Sequence, residues 1–163
     1  MAIHEKIRYE ISFYDLARPD RVPQRVPGGF IVSALAVSPN GGLVVASDMG
    51  GMGGQMRLFD PAMSELIDSL HGHLNAAVGI AFSPDGRRLF STSGGLEAVK
   101  LWDVGTRQEL LTLSGTGSEL DAARWSADGD VILAGAPWQA WRAPSWEEIA
   151  AAEAKDKPDP KLP

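Results

Sequence analysis

Any chemistry in this sequence would have to come from a short list of side chains. His71 and His73 stand two residues apart, with Asp85 and Asp103 downstream, the raw material for a metal pair or an acid–base pair. Asp128 and Asp130 flank Gly129, as paired carboxylates for general acid and base work would. Gly50, Gly51, Gly53 and Gly54 surround Met52 and invite a phosphate-cradling reading. In each case a plainer reading is favoured. A lone buried histidine beside a tryptophan is structural, Asp-Gly between apolar runs is a hairpin turn, and the glycine cluster joins two strands. That cluster does not satisfy G-x-G-x-x-G and opens no helix. No G-x-x-x-x-G-K-[ST] loop, H-E-x-x-H helix or G-x-S-x-G elbow occurs. The expectation is therefore no catalytic residue, no metal site and no cofactor.

Composition narrows the class further. The 163 residues carry 15 Lys and Arg against 21 Asp and Glu, a net charge of −6. That balance argues against a grip on nucleic acid, which works by displacing counterions with basic side chains. Zero cysteines exclude disulfides, a thiol nucleophile and thiolate metal sites. No apolar run approaches the ~18 residues of a membrane span. Charges interrupt the apolar residues at the N-terminus, so no signal peptide is expected and a cytoplasmic location is.

The elements that would position these residues recur with a fixed rhythm. Ser38-Pro39-Asn40-Gly41, Ser83-Pro84-Asp85-Gly86 and Ser126-Ala127-Asp128-Gly129 are spaced 45 and 43 residues apart. A second marker keeps the same beat, at Tyr14-Asp15, Phe59-Asp60, Trp102-Asp103 and Trp141-Arg142. Two independent markers with one period identify a repeat protein. Each unit reads as short strands around an Asn-Gly or Asp-Gly hairpin. Val78-Gly79-Ile80-Ala81-Phe82 precedes such a turn, Arg88-Leu89-Phe90-Ser91 follows it, and Val99-Lys100-Leu101-Trp102 and Glu109-Leu110-Leu111-Thr112-Leu113 complete the set. Four antiparallel strands per ~43 residues describe a propeller blade.

Here a family resemblance becomes specific. The run from Gly72-His73 through Ser83-Pro84-Asp85-Gly86 to Leu101-Trp102-Asp103 resembles a WD40 repeat, and the resemblance extends over most of the chain to about Pro144. It implies an all-β fold: a WD40-type β-propeller segment of about three blades plus a leading strand pair, with a short C-terminal helix. Residues 1–27 would end a preceding blade, and 28–71, 72–114 and 115–144 would be repeats. A helix is expected over 145–156, where Ser145 and Glu148 form a capping box, followed by a disordered tail over 157–163. The resemblance also implies a structural hydrogen-bond network, matched here by His73, Ser91 or Thr92, Trp102 and Asp103. The turn acid of that network is missing from Gly94-Gly95-Leu96-Glu97-Ala98, with Glu97 the substitute at hand.

Thirteen strands fall short of the about four to eight blades of a closed ring. The chain is thus expected to be the C-terminal part of a longer bacterial propeller, or else to complete a ring by self-association. Asp48, Met49, Met52 and Gln55 lie in a long connection that suits an adaptable partner-contact loop. Trp125, Trp138 and Trp146 read as core and helix-packing anchors. The function implied by the resemblance is a non-catalytic protein–protein interaction scaffold with other proteins as partners. The alternative is a sensor or regulatory propeller attached to a bacterial signalling enzyme such as a serine/threonine kinase.

Overall fold

The computed structural model describes residues 10–27, 31–49, 53–62, 65–95, 97, 99–115, 120–135, 138–143 and 148. Thirteen strands occur among them: β1 (Glu10–Phe13), β2 (Gln24–Pro27), β3 (Val32–Val37), β4 (Val44–Asp48), β5 (Gly54–Asp60), β6 (Glu65–His73), β7 (Gly79–Phe82), β8 (Arg88–Thr92), β9 (Val99–Asp103), β10 (Glu109–Leu113), β11 (Ala123–Trp125), β12 (Val131–Ala134) and β13 (Gln139–Arg142). They form four antiparallel sheets, ordered β1-β2, β3-β4-β5-β6, β7-β8-β9-β10 and β11-β12-β13. The two four-stranded sheets are blades; the first sheet has two strands and the last has three among the described residues. The repeat boundary expected between residues 71 and 72 falls inside β6, which runs on to His73. Of the expected C-terminal helix and tail, only Glu148 lies within the described residues; it pairs with Arg142 at 2.6 Å.

The three hairpin turns explain the rhythm. In each, the serine hydroxyl accepts from the backbone amide five residues on: Leu43 at 2.9 Å, Arg88 at 2.9 Å and Val131 at 2.8 Å. The turn glycine donates its amide to the serine carbonyl at 2.8, 2.9 and 3.0 Å. Gly41, Gly86 and Gly129 all hold φ between 71° and 82°, a conformation that costs an L side chain energy and glycine nothing. The Ser-x-Asn/Asp-Gly pattern is thus one hydrogen-bonded corner written three times.

Adjacent sheets stand side by side in the same sense. Ser33 Oγ donates to the Ala77 carbonyl at 2.7 Å, joining the start of β3 to the approach to β7. A Cβ placed on Gly79, at the start of β7, would lie 3.1 Å from the Ala123 Cβ at the start of β11. At the other end, Gly86 faces Pro39 and Gly129 faces Pro84: a Cβ placed on either would lie 3.4 or 3.5 Å from the nearest ring carbon. The inner strands β3, β7 and β11 are therefore parallel neighbours. They line an open groove of about 420 Å³ flanked by Leu35, Val37, Phe82 and Trp125.

Cores form between sheets, as blade faces require. Ile11 and Val26 of the leading pair pack on Val44, Ala46 and Phe59. Val45, Met56 and Leu58 of the first full blade meet Ile80, Leu89 and Trp102 of the second. Phe90 and Val99 then meet Ile132 and Ala134. Strand alternation sends one set of side chains to each face, so every interior strand is buried twice.

Candidate functional site

The first candidate is the histidine–tryptophan cluster. His73 closes β6 and leans into the next blade, where Ser91 sits on β8 and Trp102 on β9. The pairing of Leu89 with Trp102 puts Ser91 and the indole on one face. Trp102 Nε1 donates to Ser91 Oγ at 2.8 Å, and Ser91 Oγ lies 2.6 Å from His73 Nε2. Trp102 can only donate, so Ser91 accepts there, and its hydroxyl joins the indole to the imidazole. All three residues are buried. Ser91 holds this place, and Thr92 does not; its hydroxyl faces the Gly79 carbonyl.

Gly72 belongs to the same arrangement. A Cβ there would meet the Trp102 ring at 2.9 Å, so only glycine lets the histidine strand lie flat against the indole. The network stops at the far side of the ring. His73 Nδ1 has no hydrogen-bond partner among the described residues, and neither has Glu97 Oε2. Glu97 instead faces Lys100 at 3.8 Å and does not supply the missing turn acid.

Asp103 corrects the sequence reading. It follows Trp102 along an extended strand, so its side chain leaves on the opposite side. There Oδ1 accepts from the Thr106 amide at 2.7 Å and the Thr106 hydroxyl at 3.0 Å, capping the β9–β10 turn. Those bonds hold its carboxyl below the usual range. Asp103 is a turn cap, outside the network.

Lys100 is the residue that sequence reasoning missed. It shares Trp102's face of β9 by parity, and that signal was available. Its ammonium is buried and bonds to Glu109 at 3.0 and 3.1 Å and to Thr112 at 2.8 Å. Burial pushes Glu109 up, but the Thr112 hydroxyl and Lys100 outweigh it and hold the carboxyl below its ordinary value. For His73, burial is the largest cause and the Lys100 charge the next; together they lower its pKa to about 4. A neutral imidazole with Nε2 engaged by a serine packed under a tryptophan is built to hold a shape. A general base would need a pKa near the working pH.

The remaining chemical candidates are not brought together. Asp85 and Asp103 sit at the hairpin-turn end of the blades, and His73 at the other. His71 is exposed. Asp128 Oδ1 accepts from Ser126 Oγ and from the Asp130 amide, a turn bond. Among the described residues no group of three His, Asp or Glu side chains could hold a metal ion.

The second candidate is the end of the blades opposite the hairpin turns. Of the expected contact loop, Met52 lies outside the described residues. Asp48 and Gln55 prove to be strand residues: Asp48 is buried in β4, its carboxylate 2.8 Å from Arg57 Nη2, and Gln55 is half-buried in β5. Burying an acid beside arginine removes it from the surface, and the sequence carries no mark of that pairing. Met49 does stand out, 51% exposed, its amide bonded to the Ile31 carbonyl at 2.8 Å. Ile31 and Val32 are exposed beside it, and Leu74 just beyond β6 is 76% exposed. Trp138 corrects another expectation. It precedes β13 at this same end and is 59% exposed, whereas Trp125 is an anchor, stacked edge-on against Phe90 at 5.5 Å.

Sheet order, parallel inner strands and interlocked faces define a segment of a β-propeller. Comparison with known proteins names the repeat. Residues 64–103 match the WD40 family model, described as WD domain, G-beta repeat. The chain is similar to an uncharacterized WD repeat-containing protein of Synechocystis sp., with 30% identity over 129 residues, 78% of this chain and 35% of that protein. It is also similar to ribosome biogenesis protein YTM1 of Candida albicans, 29% identical over 110 residues, 65% of this chain and 23% of that protein. A solved structure, hydrazine synthase of Kuenenia stuttgartiensis, superposes with a TM-score of 0.67 over 77% of this chain and 35% of that chain. At 21% identity this last likeness shows the fold alone. The chain is a WD40-type β-propeller segment, and it spans about a third or less of the length of the curated relatives it matches.

Proposed function

We propose that this chain is part of a protein-interaction scaffold whose partner docks on the end carrying Ile31, Met49, Leu74 and Trp138. The observation that carries this reading is the exposure of four large apolar side chains at one end of rigid blades. Partly exposed tryptophan and methionine are residues that interfaces favour. The opposite end holds the self-satisfied Ser-Asn/Asp corners, and the large apolar side chains exposed in the loops there, Tyr14, Leu16 and Val22, all belong to the single β1–β2 connection. The histidine and tryptophan, which could suggest chemistry, are committed to joining two blades. Folds of this kind host many functions, so the assignment rests on the site rather than the fold.

The test compares proteins co-purifying with the tagged chain and with a Leu74→Asp/Trp138→Asp variant of unchanged thermal unfolding. Loss of two anchors, at about 2 kcal/mol each, lowers recovery of a true partner well over tenfold. An Arg87→Ala variant at the turn end keeps the partner. Equal recovery by all three chains would overturn the docking face.

A further inference from the structure

The three hairpin corners differ at one chemically decisive position. The first holds Asn40 followed by Gly41, where its siblings hold Asp85 and Asp128. Asn-Gly is the dipeptide most disposed to lose its side-chain amide, because a glycine amide nitrogen, unhindered by a Cβ, can reach the asparagine Cγ.

The folded corner blocks that attack. Gly41 N donates to the Ser38 carbonyl at 2.8 Å, which ties up the nucleophile. Asn40 Oδ1 accepts from Ser38 Oγ at 2.8 Å and from the Gly42 amide at 3.0 Å, which holds the carboxamide by its oxygen in one orientation. The same corner accepts the product. Asp85 Oδ1 takes the equivalent bonds from Ser83 Oγ at 2.6 Å and from the Arg87 amide at 3.0 Å. Asp128 Oδ1 takes them from Ser126 Oγ and from the Asp130 amide at 3.1 Å. Serine hydroxyls and backbone amides hold both carboxyls below their ordinary range, so this corner favours the carboxylate.

We propose that Asn40 is a latent deamidation site, locked as the amide while the β3–β4 hairpin is closed and converted when it opens. In the open chain Gly41 N loses its proton to solvent base and bonds to Asn40 Cγ. The side-chain nitrogen leaves as ammonia, taking a proton from water. Water then opens the cyclic imide. Cleavage at the side-chain carbonyl gives aspartate, which refits the corner as Asp85 does. Cleavage at the main-chain carbonyl gives isoaspartate, whose extra backbone methylene cannot close the same hydrogen-bonded ring. Conversion at Asn40 thus records how often the first full blade has opened.

The experiment incubates the 163-residue chain in mildly alkaline buffer, with and without urea, and follows the mass of the tryptic peptide running from Val26 to Arg57. Asn75, followed by Ala76, is the only other asparagine and serves as the internal reference. In urea Asn40 converts ahead of Asn75. In the folded chain its conversion slows by at least about tenfold, the factor set by the fraction of open hairpin. Ser38→Ala, which removes the hydroxyl holding the carboxamide, speeds conversion in the folded chain. Asn40→Asp melts with the parent. Equal rates with and without urea, no conversion in urea, or an Asn40→Asp chain that fails to fold would each overturn the proposal.

Discussion

Trp125 Nε1 donates to the Ala81 carbonyl at 3.1 Å, so the indole of β11 is bonded to the backbone of β7 in the neighbouring blade. The same ring stacks edge-on against Phe90. One side chain thereby joins two sheets by a directional bond and by packing.

Trp125→Phe should keep the packing and lose the bond, leaving the Ala81 carbonyl short of one donor. A loss of about 1 kcal/mol in denaturant unfolding is expected. Trp125→Ala should cost about 3 kcal/mol or more, since a cavity opens between blades. Equal losses for the two variants would show that the ring contributes nothing beyond the bond, and no loss for Trp125→Phe that the bond contributes nothing beyond the ring.

Ser91→Ala should be disproportionately costly for the removal of one oxygen. It strands Trp102 Nε1 and His73 Nε2 together in a buried site, at about 1–3 kcal/mol for the unmade bonds. A Ser91→Thr chain, which keeps the hydroxyl, should recover part of that loss. Chemical denaturation of the three chains decides the matter.

The buried imidazole makes stability depend on pH in one direction. Its folded pKa, lowered from 6.5 to about 4, means that the unfolded chain binds the proton more readily between those values. The contribution is fully present above about pH 6.5 and is lost as pH falls toward about 4, at up to about 1.4 kcal/mol per unit. Urea midpoints measured across this window should fall for the parent and flatten for His73→Gln. The carboxyls held low by their partners begin to lose their contribution near their ordinary values, 4.5 for Glu109 and 3.8 for Asp85 and Asp103, at the acid edge of this window, and lose more below it.

Two adjacent glycines should respond very differently to alanine. A Cβ on Gly53 would meet only the His73 carbonyl oxygen, at an ordinary 3.9 Å, and the Gly53 φ is 89°, so Gly53→Ala pays for backbone strain alone, about 1 kcal/mol. A Cβ on Gly54 would sit 1.8 Å from the Asn75 carbonyl oxygen, which is backbone and cannot step aside. Gly54→Ala should therefore destabilise by several times as much, read as the shift in thermal midpoint.

The repeat was legible because its signals are local. Asn-Gly and Asp-Gly need positive φ, a serine before them needs the turn amides, and both needs are met within six residues. The His73–Ser91–Trp102 set was legible through the family resemblance. What escaped is what depends on partners far along the chain. Asp103 was grouped with Trp102 by adjacency, while strand parity separates them. Lys100 reads as a surface cation until Glu109 and Thr112 are brought over it. Asp48 reads as a loop acid until Arg57 pairs with it. Trp138 reads as core by its type, but it stands at a strand's mouth and is more than half exposed.

The seating of Pro39 on Gly86, repeated as Pro84 on Gly129, has an evolutionary side. Each seat consults only the unit before it, so duplicating a stretch of gene would bring its own fitting instructions along. A lengthened protein would inherit the same pitch at every joint without any distant residue having to change. Copies of this corner could thus be multiplied first and refined afterwards.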